Sequence, residues 1–164
     1  MIGQKMQDAM NEQINKELFS SYLYLSMAAY FEDKNLSGFA KWMRVQEAEE
    51  REHGMKFYDF LVDRGGRVAL KTIDAPATEW KSSMEVFKEV QAHEAKVTAS
   101  INALYELALK EKDYPAQIML QWFITEQVEE EKNAAEIVAM LDLIDAKGTA
   151  VLMLDKQLGK RGAD

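Results

Sequence analysis

Along four long stretches of the chain, apolar residues recur at alternating steps of three and four. That step keeps side chains on one face of an α-helix and is the seam pattern of a helical bundle. The second stretch reads Phe39, Met43, Gln46, Glu50, His53, Phe57, Phe60, and the third Phe87, Val90, Glu94, Val97, Ile101, Leu104. The fourth reads Leu120, Phe123, Gln127, Glu130, Ala134, Ile137, Leu141, and the first Met10, Glu17, Tyr24, Ala28, Phe31, with Ile14 and Leu18 beside it. Helix-breaking residues fall between these runs, at 33–38, 64–80, 111–115 and 146–149. Helices are therefore predicted at about 5–34, 38–64, 81–111 and 114–145, with a short one near 149–159. Ser37 and Asp113 read as N-caps, the latter with Pro115 behind it in the first turn. Short links make each successive pair an antiparallel hairpin. The connection between the second and third helices is long enough, at about 3.3 Å per residue, to cross the bundle. The fold class read from this pattern is all-α: a four-helix bundle with a long crossover between helices 2 and 3 and a short fifth helix at the C-terminus. No strand pattern competes, although RVALKT at 67–72 reads as briefly extended.

Every seam is interrupted by a carboxylate, and the interruptions share a height. Glu17 lies 18 residues before position 35, and Glu50 and His53 lie 15 and 18 after it. About position 112 the pattern repeats, with Glu94 18 before and Gln127 and Glu130 15 and 18 after. Within each hairpin the polar residues face one another near mid-helix. The relative orientation of the two hairpins is open at this level.

Composition narrows the chemistry. With 164 residues, 48% hydrophobic and 29% charged, the chain is read as one domain spanning 1–164. It has no cysteine, which excludes disulfides, CxxC zinc sites and iron–sulfur clusters, so a metal would have to be held by carboxylate or imidazole. A formal charge of -8 argues against nucleic acid or an anionic membrane as partner. The N-terminus lacks an apolar export core, and no window resembles a membrane span. A soluble, cytoplasmic protein is the expectation.

Burying a carboxylate without a partner costs several kcal/mol, and four together repel unless most take up protons. Arg51, Lys56 and Lys132 point away from the seam by the same periodicity. A metal is the remaining source of positive charge. Four carboxylates balance two divalent cations, and one histidine among several oxygens suits iron or manganese better than zinc. His53 follows Glu50 at i+3, on one helix face, as a chelating pair requires. Two rival readings stand beside this dinuclear centre. In one the acids only fix bundle register; in the other a dinuclear oxidase acts on an organic substrate, which would need a pocket where the seams place Phe57, Phe123 and Leu120. Tyr24 and Trp122 read as core from their positions, and His93 as surface.

The stretches NEQINKELFSSYLYLSMAAYF (11–31), E-x-x-H at 50–53, HE at 93–94 and QWFITEQVEEE (121–131) together resemble the non-haem bacterial and archaeal ferritins over nearly the whole chain. The resemblance implies a catalytic site that oxidises ferrous iron with dioxygen. One iron would be held by Glu17, Glu50 and His53, the other by Glu50, Glu94 and Glu130, with Gln127 close by and Tyr24 a hydrogen-bonding, redox-active neighbour. A third iron position toward the inner surface would use Glu49, Glu126 and Glu129 with Glu130. Bacterioferritins carry a second E-x-x-H where this chain has Gln127 and Glu130, and their haem-binding methionine falls at Glu52, so no haem is expected. Rubrerythrins also need the second histidine, and mini-ferritins lack a fifth helix. The segment AVLMLDKQL is too short and apolar to stand alone in water. In ferritins such a helix lines a symmetry axis of a hollow shell of about 24 subunits, which implies a homo-oligomer storing iron as mineral.

Overall fold

Both hairpins turn on a residue in the left-handed backbone region, Asn35 (φ 58°) and Lys112 (φ 53°). These are the two positions about which the polar seam residues are symmetrically placed. The computed structural model describes residues 1–144 and 148–162. The helices are α1 (Gln4–Asp33), α2 (Ser37–Asp63), α3 (Ser83–Lys110), α4 (Tyr114–Leu143) and α5 (Gly148–Leu158), with no strand among the described residues. The all-α bundle with a long crossover and a short fifth helix is thus the observed fold. Of the expected end of helix 4 and the turn after it, residues 145–147 lie outside the described residues.

Local chemistry sets most of the ends. The Asp113 side chain accepts from the Ala116 N–H at 3.1 Å and caps α4, as its sequence context predicts. The same carboxylate receives both guanidinium nitrogens of Arg64, at 2.8 and 3.2 Å, tying the end of α2 to the second hairpin's turn. Ser82, which the punctuation did not single out, caps α3 by accepting from Glu85 N–H at 3.2 Å. Ser37 is not a cap. It lies inside α2, whose N-cap position Leu36 offers no side-chain bond. The missing acceptor comes instead from α5, where Asp155 Oδ1 takes the Phe39 N–H at 2.8 Å.

The crossover of 64–82 fixes how the hairpins stand. It begins beside the start of α1, where Ile2 N–H meets Arg64 O at 3.1 Å, and runs the length of that helix. No strand forms at 67–72. The single amide of buried Asn11 both donates to Arg67 O (3.0 Å) and accepts from Ala69 N–H (2.8 Å), replacing a strand partner. Farther along, Ser26 Oγ donates to Ala77 O at 2.6 Å, and Trp80 packs edge-on against Tyr30. The chain therefore enters α3 beside the end of α1. This delivers α3 antiparallel to α1 and brings the two mid-helix polar sets to the same level.

The apolar core is divided by that level. Phe31, Phe39, Met43, Phe87, Ile137 and Leu141 belong to one half, which also takes in Leu154 and Leu158 of α5. Met10, Phe57, Leu61, Ile101, Leu120 and Phe123 belong to the other. The seam reading placed Phe60 in the core; Leu61 is buried there instead and Phe60 is only half-buried, one step round the helix.

Candidate metal centre

Between the two apolar halves lie Glu17, Glu50, His53, Glu94, Gln127 and Glu130, all buried to within 4% of their surface. Each of the four long helices contributes at least one. Ligand-capable atoms of Glu17, Glu50 and His53 all lie within 4.8 Å of one another. The i+3 step from Glu50 to His53 leaves His53 Nδ1 3.6 Å from Glu50 Oε2. Trp122 and Phe123 hold the imidazole by edge-on contacts, with ring centroids 5.4 and 5.8 Å away.

Around the acids stands a ring of amide and hydroxyl donors. Gln13 Nε2 donates to Glu17 Oε1 at 2.7 Å. Gln46 Nε2 donates to Glu50 Oε1 at 3.2 Å and to Glu130 Oε2 at 2.9 Å. Gln127 Nε2 reaches Glu94 Oε2 and Thr98 Oγ1, each at 3.2 Å. The Tyr24 hydroxyl donates to Glu94 Oε1 in a short bond. Tyr24 is fully buried, as its seam position predicts, yet its hydroxyl is aimed at an acid rather than lost in apolar packing.

Two buried carboxylate oxygens, Glu17 Oε2 and Glu50 Oε2, have no hydrogen-bond partner. No arginine or lysine reaches either of these carboxylates among the described contacts. The electrostatic result is proton uptake. Burial, then the nearby Glu50 charge, raises Glu17 well above the usual carboxylate range. Burial and then Glu94 do the same to Glu50. Glu94 is raised by burial although Tyr24 and Gln127 oppose the shift. Glu130 is pushed up to about 7 by burial and by Glu94. Burial and Glu94 raise the Tyr24 phenol too, which keeps it a proton donor to its acid. An apolar-walled set of four acids with two orphaned oxygens fits divalent cations bound by oxygen and one imidazole.

The expected third cluster is not assembled in the same way. Glu49 and Glu126 are half-buried and Glu129 is exposed. Glu49 is turned toward Arg161, which forms an ion pair with it.

His93 departs from its expected surface place. It bridges α1 and α3, with Nε2 2.7 Å from Ser20 Oγ and its ring against Phe19 and Tyr24. Burial and the neighbouring Lys96 lower it to about 4, so it is neutral at pH 7. Gln13, Thr98 and Arg161 did not stand out in the sequence, and Gln46 stood on the seam without a role. Gln13 and Gln46 each precede a glutamate by four residues, the spacing at which helical side chains meet, and that repeated Gln-x-x-x-Glu was the available signal.

A bundle of this connectivity, with four inward acids and E-x-x-H at one level, defines a class of helical bundles with a buried carboxylate site. The sequence profile of the Ferritin-like domain matches residues 7–144. The chain is 44% identical over 162 residues to the bacterial non-heme ferritin of Bacteroides fragilis, covering 98% of this chain and 100% of that one. It is 40% identical over 164 residues to that of Staphylococcus haemolyticus, with 100% and 99% covered. The structure matches an open pore ferritin from the archaeon Archaeoglobus fulgidus with a TM-score of 0.96 and 49% identity, covering 98% of each chain. The chain belongs to the non-haem ferritins.

Proposed function

We propose that this chain is the subunit of an iron-storing ferroxidase. Ferrous iron and dioxygen are its substrates, and the centre built on Glu17, Glu50, His53, Glu94 and Glu130 is where iron is oxidised. One ion is held by Glu17, Glu50 and His53 and the other by Glu50, Glu94 and Glu130, with Glu50 bridging. The observation that carries this reading is the pair of orphaned carboxylate oxygens, Glu17 Oε2 and Glu50 Oε2, buried within reach of His53.

Two ferrous ions held side by side each give up one electron, so that dioxygen takes two electrons together, picks up two protons and leaves as hydrogen peroxide rather than as superoxide. The chain's own residues prepare this step. Gln13 and Gln46 orient the carboxylates whose other oxygens face the ions. The Tyr24 hydroxyl keeps its proton and holds Glu94 in place by a short hydrogen bond. Phe57 and Phe123 are buried and stack with centroids 4.2 Å apart beside His53, so the seam at that level is filled by aromatic side chains. Acids that carry protons when empty release them as ions bind, so iron uptake is coupled to proton loss.

The ferric product passes inward to a mineral in a hollow cytoplasmic shell of about 24 copies. Glu49, Glu126, Glu129 and Glu130 form a third iron position on the way. Haem takes no part.

Anaerobic ferrous titration of the metal-free protein, followed by oxygenation, tests the centre. Uptake saturating at about two ions per chain with rapid dioxygen consumption, abolished by Glu50→Ala, is the expected result. Oxidation at the bulk rate in wild type and variant alike would mean that the buried acids only set bundle register.

A further inference from the structure

The C-terminal turn after α5 carries a cation to the edge of the centre. Gly159 fits against the Gly38 backbone, and Gly162 (φ 67°) approaches Val45 on α2. Between them, Arg161 lies flat over Trp42, its guanidinium carbon 4.5 Å from the ring centroid. Nη1 donates to Gln46 Oε1 at 2.8 Å, and Nη2 pairs with Glu49 Oε2. The Arg161 side chain is 22% exposed and that of Glu49 40%, so the pair is only partly hydrated.

Two consequences follow from what a guanidinium can do. It has donors and no acceptor, so Gln46 must turn its oxygen toward Arg161 and its nitrogen toward the acids. That nitrogen is the one bonded to Glu50 and Glu130. Arg161 therefore sets the orientation of an amide that in turn positions two acids of the centre. Its charge also occupies Glu49, the α2 member of the third iron position proposed above. Guanidinium and metal ion compete for the same carboxylate.

We propose that Arg161 is a specificity-determining residue: a built-in cation that keeps the third position closed in the resting chain, limiting it to two ions until the C-terminal turn is displaced. This rests on the third iron position proposed above as well as on reading the four buried acids as the oxidation centre. The third ion, once it takes Glu49, expels Arg161 and releases Gln46 from its fixed orientation. Occupancy of the third position is thereby linked to the docking of the fold's last turn.

The test uses redox-inert Co(II), titrated into the metal-free full-length protein by calorimetry, with melting temperature as a check on folding. Wild type is expected to bind two ions per chain. Arg161→Ala is expected to add a third, at least about tenfold tighter than any third ion in wild type, the loss of one charge-assisted pair. Glu49→Gln in the Arg161→Ala background is expected to return the count to two. Equal stoichiometry and affinity in wild type and Arg161→Ala would overturn the proposal while leaving the two-ion centre standing. A third ion that survives Glu49→Gln would overturn it too, by placing that ion elsewhere. Absence of any tight binding in both proteins would bring down the proposal and the two-ion reading together.

Discussion

Glu130, raised to about 7, and the more strongly raised Glu17 and Glu50 give the empty centre a pH signature. Below pH 4.5, the ordinary value, folded and unfolded chains both hold these protons and nothing is lost. Above it the unfolded chain sheds them while the folded chain keeps them, so stability falls as pH rises through about 7. Metal-free protein is therefore expected to melt progressively lower from pH 5 to pH 8. With saturating Zn(II) the slope should flatten, because the ions replace the protons and the acids are then deprotonated in folded and unfolded chains alike. Paired melting curves across that range check it, and parallel curves with and without metal would contradict it. His93, lowered to about 4, works in the opposite sense. Its contribution is present above the unfolded value of 6.5 and is lost as pH falls toward 4, so His93→Gln is expected to steepen the fall between pH 5 and 6.5 and to leave the alkaline side unchanged.

At the scale of elements, Gly38 in the first turn of α2 and Lys112 between α3 and α4 show opposite demands on the backbone. A Cβ on Gly38 would sit 1.7 Å from the backbone oxygen of Asp155, so no side chain fits while α5 is docked. Gly38→Ala is expected to cost about 1–3 kcal/mol, as overpacking does, and to release α5. Limited proteolysis confined to the C-terminal segment would show the release; an unchanged cleavage pattern would contradict it. Lys112, by contrast, holds a left-handed conformation that a glycine adopts without strain. Lys112→Gly should raise stability by less than about 1 kcal/mol in thermal unfolding, the relieved strain being partly offset by the entropy of the freer unfolded chain. These two positions also mark what the sequence could tell. The hairpins were legible because apolar periodicity is local, and the level of the polar residues was legible because spacing about 35 and 112 needs only residue counts. The cap on α2 was not. Ser37 met every local rule, but the acceptor is Asp155, more than a hundred residues away, and pattern reading has no access to such a contact. Arg161 stayed hidden for the same reason, whereas Gln13 and Gln46, each four residues before a glutamate, were within reach of the same helix-face spacing that joins Glu50 to His53.

At the scale of the molecule, α5 joins two roles in eleven residues. One face, through Leu154 and Leu158, completes the core half that contains Phe31 and Phe39. From the sequence its apolarity pointed to assembly, and part of it is spent within the chain. The other face leaves Leu152 and Met153 exposed, and Leu143 at the end of α4 adds to the patch. An apolar surface of this kind on a short terminal helix is costly in water, and in the shell proposed above it would be covered by neighbouring copies. Storage and oxidation can then be separated by mutation, because the patch lies on the far side of α5 from the centre. Leu152→Glu with Met153→Glu is expected to leave the fold intact while placing like charges against one another at the axis, which yields particles smaller than the wild-type shell by light scattering. Iron should still be oxidised at about two ions per chain in the first turnover, since the acids are untouched. Further loading should stop or precipitate, because there is no enclosed volume to receive the ferric product. A full-sized shell in this variant would place the assembly contacts elsewhere. Full-sized iron loading by small particles would instead detach mineral storage from the shell.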